Sequence, residues 1–262
     1  MGRLDNKVAI VTGGARGLGK VFCMALAEEG ARIVVADILK DEARQTAEEI
    51  REKGGSSISM KVDVSSEEET SRMAEETIRE YGGIDILVNN AATIFGIGRK
   101  PFHEITAEQW NRLMIVNLGG PFLCAKAVFP RMKAQGKGKI INISSETAFT
   151  GSKGFLHYVT SKGGILSFTK SLAAELGQYG IRVNCITPGF TNSESAISVT
   201  DDITKYDTSL TPLGRLEQPE DLIGAVIFFS GDESDFITGQ VLVVVVGVIC
   251  TEGIEISQFE VD

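Results

Sequence analysis

Three polar side chains near the middle of the chain have a spacing that suits proton transfer to a substrate oxygen. Tyr158 is followed four residues later by Lys162, and Ser145 precedes the tyrosine by thirteen residues. Residues four apart on a helix share a face, and a nearby cation lowers the pKa of a phenol from about 10. The pair could therefore be a general acid and base, with Ser145 polarising the substrate oxygen. Taken alone, Tyr-x3-Lys is also compatible with a plain helix-surface pair.

A glycine-rich loop near the start of the chain has the context of a dinucleotide site. The sequence TGGARGLG at 12–19 follows a short apolar strand pattern, VAIV, and precedes a helix pattern that ends at Gly30. In such a loop, glycines let the backbone approach a pyrophosphate, and the helix N-terminus attracts its charge. The spacing is Gly-x3-Gly-x-Gly rather than the common Gly-x-Gly-x-x-Gly. The alternative is a glycine turn without a ligand.

Strand and helix patterns alternate along the whole chain, which predicts a parallel sheet with helices on both faces. The predicted strands are 8–12, 32–37, 57–62, 84–89, 138–144, 182–187 and 241–246. The predicted helices are 17–29, 40–53, 67–81, 107–133, 155–178 and 219–230. No linker or repeat interrupts them. We expect a single α/β domain over 1–262, a Rossmann-like, doubly wound fold with seven parallel strands and the cofactor at their carboxyl ends.

Composition argues against several other classes of protein. The formal net charge is −9 and no Lys/Arg cluster exceeds three residues, which disfavours nucleic-acid binding. No run of 18 apolar residues predicts a membrane span, and the N-terminus lacks a signal-peptide pattern. Four separated cysteines and two histidines indicate reduced thiols in a cytoplasmic protein, without a metal site. Of the two histidines, His157 is expected to line the pocket rather than to act as the base.

Nine short motifs in order carry a resemblance to a known family. They are TGGARGLG at 12–19, Asp37, Asp63-Val64, NNA at 89–91, Asn117, Ser145, YVTSK at 158–162, PG at 188–189 and TGQ at 238–240. In this order and with these gaps, the chain resembles the short-chain dehydrogenase/reductase family from residue 5 to about 245. The resemblance implies an oxidoreductase that transfers a hydride to or from a nicotinamide cofactor.

The resemblance also assigns catalytic roles. It implies that Tyr158 exchanges the proton, that Lys162 lowers the pKa of Tyr158 and binds the nicotinamide ribose, and that Ser145 positions the substrate oxygen. Asn117 is implied to hold a water that links the lysine to solvent. Ser144 competes for the serine role, but the family's thirteen-residue gap to the tyrosine selects Ser145.

Asp37 favours NAD as the cofactor. It ends the second strand pattern, where a carboxylate binds the ribose hydroxyls and would repel a 2′-phosphate. Arg16 points the other way, because a basic residue there often accompanies NADP in the family; we expect NAD, with NADP as the alternative. The other residues expected around the cofactor are Gly13, Gly17, Leu18, Gly19, Asp63, Val64, Asn90, Ala91, Pro188, Gly189 and Thr191.

Two long loops predict the substrate side, because loops of this length in a compact domain are usually functional or disordered. They are 93–103 and 190–214, of which the second is a substrate lid in the family. Apolar residues expected around the substrate are Ile94, Phe95, Phe149, Phe155, Leu156 and Phe190. We therefore expect a secondary alcohol or ketone that is apolar or cyclic. The alternatives are an NADP-dependent 3-oxoacyl-thioester reductase and a regulatory protein that binds the cofactor without turnover.

The C-terminus departs from the family pattern and bears on assembly. Val245 and Val246 stand where the family usually has Asp-Gly, and an atypical tail follows at 247–262. The helices 107–133 and 155–178 carry surplus apolar residues, and in the family they pair in a dimer. We expect a homodimer or homotetramer, with the tetramer weakened by the altered C-terminus.

Overall fold

The computed structural model describes residues 2–94, 96–197, 208 and 212–245, and these form one seven-stranded parallel sheet. The strands lie in the order β3-β2-β1-β4-β5-β6-β7. Their bounds are β1 Val8–Thr12, β2 Arg32–Asp37, β3 Ser56–Lys61, β4 Ile86–Asn89, β5 Gly138–Ile143, β6 Ile181–Pro188 and β7 Val241–Val244. All six pairings are parallel. The predicted fold class is confirmed.

Helices cover both faces of this sheet. The longer ones are α1 Gly17–Glu28, α2 Lys40–Glu52, α3 Glu67–Tyr81, α4 Ala107–Met114, α5 Gly120–Gln135, α7 Leu156–Leu176 and α9 Ile223–Ser230, and two short ones are α6 Thr147–Thr150 and α8 Glu194–Ile197. One buried cluster joins α1, α2 and α9 to one face, and a second joins α3, α5 and α7 to the other. Strands covered on both faces need apolar residues throughout, which explains runs such as VAIV.

The helix predicted at 107–133 runs from Ala107 to Gln135 in the structure and contains a π-helical segment. A π-helical segment, Ile115–Gly119, connects α4 to α5, and Pro121 follows in the first turn of α5. Gly119 and Gly120 before it keep helical backbone angles, so the proline, which has no N–H, removes one backbone hydrogen bond next to the π-helical segment. The spacing of apolar residues in the sequence cannot show that one turn of the helix is wider than the others. The π-helical segment contains Asn117.

By length and composition the helical stretch Ala107–Gln135 could cross a membrane. The core helix of a globular protein passes the same test, and in this fold Val128 and Met132 of the stretch are fully buried against the sheet. The finding is therefore weak evidence for a span.

The predicted lid at 190–214 is described only in part. Its first residues include the short helix α8, and Thr191 pairs with Glu217 in an isolated parallel bridge that joins the two ends of the insert. Residues 198–207 and 209–211, Val246 and the tail at 247–262 lie outside the described residues.

The order of the strands determines where a ligand can bind. The chain leaves β1 toward β2 on one side and returns to β4 on the other, so the connections diverge between β1 and β4. Ligands of doubly wound sheets bind in the crevice at the carboxyl ends of strands at such a point. The glycine loop follows β1 and Asn90 follows β4, so both lie at this crevice.

Candidate active site

A cavity of about 560 Å³ lies at the carboxyl ends of the strands. It brings together all but one of the residues predicted for the site. They are Gly13, Arg16, Gly17, Leu18, Gly19, Asp37, Asp63, Val64, Asn90, Ala91, Ser145, Tyr158, Lys162, Pro188, Gly189 and Thr191. The exception is Asn117, which lies behind the wall. The volume is in the range of cofactor sites.

The glycine loop is held by side chains of neighbouring strands. Asn90 Nδ2 donates to the carbonyl oxygens of Thr12 and Gly13, each at 3.1 Å. Thr12 Oγ1 in turn accepts from the backbone N–H groups of Asn90 and Ala91, at 3.1 and 3.2 Å. Asn90 therefore braces the loop rather than only lining the adenosine side. Sequence reasoning missed the role of Thr12, because its hydroxyl partners come from a distant segment.

Glycine is required at two positions of this loop. Gly13 has a φ of +65°, which disfavours other residues, and a Cβ on Gly19 would overlap the Gly13 carbonyl oxygen. This contact lets α1 begin directly against β1. The helix begins at Gly17 without an acidic residue in its first turn, so its N-terminal N–H groups present a site that fits a pyrophosphate.

Asp37 forms the wall of the cavity at the end of β2. Its carboxylate accepts from the backbone N–H groups of Ala15 and Leu39, both at 3.0 Å, and the residue is 9% exposed. A buried carboxylate fixed by two donors is a firm negative charge beside the glycine loop. Arg16 stands opposite it at the cavity and lies 4.0 Å from Glu194 of α8.

Asp63 and Val64 follow β3 and line the same end of the cavity. Asp63 Oδ1 accepts from the backbone N–H and the hydroxyl of Ser65, at 2.9 and 2.6 Å. The carboxylate is thus fixed in place, as a contact to an adenine amino group would require. A Cβ on Gly120 would crowd the Val64 side chain, so α5 packs closely against this loop.

Tyr158, Ser145 and Lys162 meet at the other end of the cavity. Tyr158 and Lys162 lie on α7, where the lysine Nζ is 5.8 Å from the phenol ring centroid and donates to the Ile143 carbonyl at 2.9 Å. Ser144 Oγ donates to the Lys162 carbonyl at 2.7 Å and so braces the helix. Ser145 instead hydrogen bonds to Tyr158. The assignment of the serine role to Ser145 rather than Ser144 stays a prediction.

The predicted lowering of the tyrosine pKa is not present in this structure. Burial raises the pKa of Tyr158 to about 12; its hydrogen bond with Ser145 opposes that rise, and the charge of Glu146 adds to it. Burial also lowers the pKa of Lys162 to about 8. The expectation failed because it counted the cation beside the phenol without the loss of water around both groups.

Asn117 lies behind the cavity wall, 1% exposed. Its Oδ1 accepts from Thr93 N–H at 2.7 Å, and its Nδ2 donates to Ser161 Oγ at 3.2 Å. The amide therefore ties the loop after β4 to α7 next to Lys162. Its predicted role as a water holder stays a prediction.

Two acidic side chains that sequence reasoning missed hold the segment after β6. Glu217, 1% exposed, accepts from Thr191 Oγ1 at 2.6 Å and from Gly189 N–H at 3.1 Å. Glu146 accepts from the backbone N–H of Phe190, and burial, with a smaller contribution from Glu217, raises the pKa of Glu146 to about 7. Neither glutamate belongs to a recognisable local motif, so only the fold brings them together.

The substrate end of the cavity is less apolar than expected. Of the predicted apolar residues, Ile94, Phe155 and Phe190 line it. The ones that do not are Phe149 and Leu156, which are 49% and 47% exposed, and Phe95 lies outside the described residues. Charged side chains share the wall, namely Arg99, Arg112 and Glu146. The expectation failed because it took apolar residues by position in the sequence and did not see the charged ones brought beside them.

His157 is 2% exposed and is not among the residues that line the cavity, so the prediction that it lines the pocket is wrong. Its side chain leaves α7 about 100° around the helix axis from that of Tyr158, because a helix has 3.6 residues per turn. Burial and the charge of Lys100 lower the pKa of His157. Among the described cysteines, all three thiols are free and buried, and no group of His, Cys, Asp or Glu in the described residues could hold a metal.

The chain is similar to known proteins over most of its length. A family model described as short chain dehydrogenase matches residues 7–204. The chain is 38% identical over 242 residues to the 3-oxoacyl-[acyl-carrier-protein] reductase FabG of Chlamydia muridarum, covering 91% of this chain and 96% of that protein. It is 36% identical over 242 residues to the (2S)-[(R)-hydroxy(phenyl)methyl]succinyl-CoA dehydrogenase subunit BbsD of Thauera aromatica, covering 92% and 96%.

Among solved structures, a 7 alpha-hydroxysteroid dehydrogenase complexed with NADH and 7-oxo glycochenodeoxycholic acid superposes with a TM-score of 0.88. The two chains are 35% identical, and the alignment covers 94% of this chain and 95% of the other. The family match, the relatives and the shared sheet agree with one another. The chain belongs to the short-chain dehydrogenase/reductase family of oxidoreductases.

Proposed function

We propose that this protein is an NAD-dependent oxidoreductase that interconverts a secondary alcohol and its ketone. The observation that carries the proposal is a single cavity with Asp37 and the glycine loop at one end and Ser145, Tyr158 and Lys162 at the other. A nicotinamide cofactor bound along it would reach from one group to the other. We also propose that a single domain extends over 1–262 and that the protein is located in the cytoplasm.

The catalytic roles follow from the contacts at the substrate end. Tyr158 gives the proton to the substrate oxygen during reduction and takes it back during oxidation, while Ser145 holds the same oxygen by a hydrogen bond. Lys162 is held by the Ile143 carbonyl and keeps a positive charge near the phenolate that forms. When bound, the nicotinamide supplies or accepts the hydride. Asn117 positions α7 through Ser161.

NAD is the proposed cofactor because the carboxylate of Asp37 is fixed where an adenosine ribose would lie. Gly13, Gly17 and Gly19 would approach the pyrophosphate, and the segment 188–191 the carboxamide. We expect NAD to bind more tightly than NADP, and Asp37→Ala to narrow that gap by about tenfold, because it removes charge repulsion of the 2′-phosphate. Titration of both cofactors into wild type and variant measures this. Equal affinities in the wild type would mean that Arg16 outweighs Asp37.

A 3-oxoacyl-thioester reductase that uses NADP is the second candidate. The similarity to 3-oxoacyl-[acyl-carrier-protein] reductases favours it, and Arg16 at the cavity supplies a cation for a 2′-phosphate. The third reading, a regulatory protein without turnover, is disfavoured because Asn117, Ser145, Tyr158 and Lys162 are all present.

The test is a panel of cyclic and open-chain alcohols and ketones, with a neutral 3-oxoacyl thioester, assayed with NAD(H) and NADP(H) at the nicotinamide absorbance. Turnover of simple ketones with NADH supports the proposal. Turnover of the thioester alone, with NADPH, supports the second candidate. Cofactor binding without turnover of any compound in the panel contradicts both.

We further propose assembly into at least a homodimer, with a homotetramer as the larger alternative. The surplus apolar residues expected on α5 and α7 are partly used inside the chain, since Val128 and Ile165 are buried. Phe122, however, is 52% exposed on the same helical stretch, where a second copy of the chain would cover it. Light scattering at micromolar concentration tests this; a mass near 28.2 kDa contradicts it.

A further inference from the structure

We propose that the substrate carries a carboxylate close to its reacting carbon and that Arg99 binds this carboxylate at the substrate end of the cavity. The inference rests on the proposed alcohol/ketone function and names its substrate class. The expected substrate thereby changes from any apolar or cyclic ketone to an apolar or cyclic oxo acid.

The first support is the fixed position of the Arg99 side chain. Nη1 donates to Ser152 Oγ at 3.0 Å and to the Lys153 carbonyl at 2.7 Å, and Cζ lies 4.3 Å from the Phe155 ring centroid. The edge of the guanidinium is thus hydrogen bonded and its face is stacked on an aromatic ring, which is not typical of an arginine on an open surface. The loop after β4 and the loop before α7 thus place one guanidinium in the cavity wall, where little rotamer entropy remains to be lost on binding.

The second support is the distance from this charge to the catalytic phenol. The ring of Phe155, which Arg99 covers, has its centroid 6.1 Å from that of Tyr158. One aromatic ring therefore separates the guanidinium from the group that exchanges the proton. These two distances place the Arg99 Cζ atom at most 10.4 Å from the centre of the Tyr158 ring, so a compact substrate can present a carboxylate to Arg99 and a carbonyl to Tyr158. Phe155 would pack against the apolar part between them.

The third support is the local charge. The chain has a net charge of −9, yet Arg99 and Arg112 both line the cavity. Burial lowers the pKa of Arg99, which shows that its charge is partly desolvated, and an ion pair is stronger where water is excluded. The acidic group at this end is Glu146, whose pKa of about 7 leaves it largely neutral below neutral pH.

A carboxylate on the substrate is distinct from the phosphates of an acyl carrier. In an extended acyl-carrier substrate those phosphates lie many bonds from the reacting carbonyl, farther than the Arg99 guanidinium lies from the Tyr158 ring. Two matched pairs of probes separate the cases. The first pair is 4-oxocyclohexane-1-carboxylate and its methyl ester, and the second is a 3-oxoacyl-coenzyme A thioester and its neutral N-acetylcysteamine counterpart.

The experiment compares kcat/KM for the acid and the ester with NADH in wild type, Arg99→Met and Arg79→Met. Arg79 is the matched control, an arginine on α3 that is 78% exposed and far from the cavity. We expect the wild type and Arg79→Met to prefer the acid by about tenfold or more, and Arg99→Met to lose this preference. The ratio is internal to each variant, so a general loss of activity does not change it. A higher salt concentration should lower the ratio of kcat/KM for the acid to that for the ester in the wild type.

Calorimetric binding of the acid and the ester to the protein with NAD bound separates this inference from the proposed function. Turnover of both compounds with equal kcat/KM overturns the carboxylate site and leaves the redox function standing. Tighter binding of the acid without turnover rejects the function and supports the site. Failure to bind the acid, or a preference that survives in Arg99→Met, overturns the proposal. A preference for the coenzyme A thioester over its neutral counterpart, without one for the acid, also overturns it.

Discussion

The two ends of the cavity are built from different kinds of contact. At the adenosine end, side chains bind backbone groups: Asn90 donates to the carbonyls of Thr12 and Gly13, and Asp37 accepts from Ala15 and Leu39. At the substrate end, long charged side chains reach across loops and bind other side chains as well as backbone groups. Arg99 contacts the loop before α7, and Glu217 closes the base of the long insert.

This difference determines how each end can vary. Backbone geometry tolerates few residue types, so the adenosine end demands glycine, asparagine and aspartate at fixed places. The substrate end places charge with side chains whose replacement leaves the backbone in place. One fold can therefore keep a constant cofactor site while its substrate changes.

The largest effect should come from the proton-transferring group that lies between the two ends. Tyr158→Phe removes only the phenol oxygen, so kcat should fall by about 10²–10⁴-fold, while the fold and NAD affinity are retained. Steady-state kinetics and cofactor titration measure both quantities. Tyr179→Phe is the control, because Tyr179 packs edge-on against Phe129 away from the cavity. A variant with more than a few per cent of the wild-type kcat would reject Tyr158 as the acid and base.

The next effect tests whether the adenosine end is as rigid as its contacts indicate. Gly19→Ala would place a Cβ on the Gly13 carbonyl oxygen, so α1 must move and NAD affinity should fall by about 100-fold. Gly224→Ala in α9 is the matched control, because a Cβ there meets nothing within 4 Å and helix propensity favours alanine by about 1 kcal/mol.

Calorimetric titration of NAD and denaturant unfolding check both glycine variants. Normal NAD affinity in Gly19→Ala would show that the loop yields to a methyl group. The adenosine end of the cavity would then be no more rigid than the substrate end.

The same contrast explains what the sequence predicted. The seven strands, the glycine loop, Asp37 and the Tyr158–Lys162 pair are local patterns, and the structure has them where they were predicted. The π-helical segment at Ile115–Gly119 escaped prediction because periodicity cannot resolve one added residue in a turn. Thr12, Glu146, Glu217 and Arg99 escaped because their partners lie far away in the sequence. The expected direction of the Tyr158 pKa shift was wrong for a related reason, because burial is a property of the whole fold.

The smallest expected effect is on the pH dependence of folding stability, and it tests whether Glu146 at the substrate end is buried. The folded-state pKa of Glu146 is raised from 4.5 to about 7, first by burial and then by Glu217. Between these values the folded protein holds a proton that the unfolded chain has lost, so stability should fall as pH rises from 4.5 to about 7 and then level off. Glu146→Gln carries no charge and should remove this part of the fall.

Denaturant unfolding at pH 5 and pH 8 measures the effect, with Glu48→Gln, an exposed position on α2, as the control. Around Glu146, the groups that also bear on its charge are Glu217 and Tyr158, while Arg215 and Asp221 act on Glu217. Glu217 remains in Glu146→Gln, and its own pKa is raised by burial, so a smaller pH dependence of the same sign should persist. An unchanged slope in Glu146→Gln would place the pH dependence elsewhere. The carboxyl group of Glu146 would then be solvated, and its proton would not help the substrate end to accept an anion.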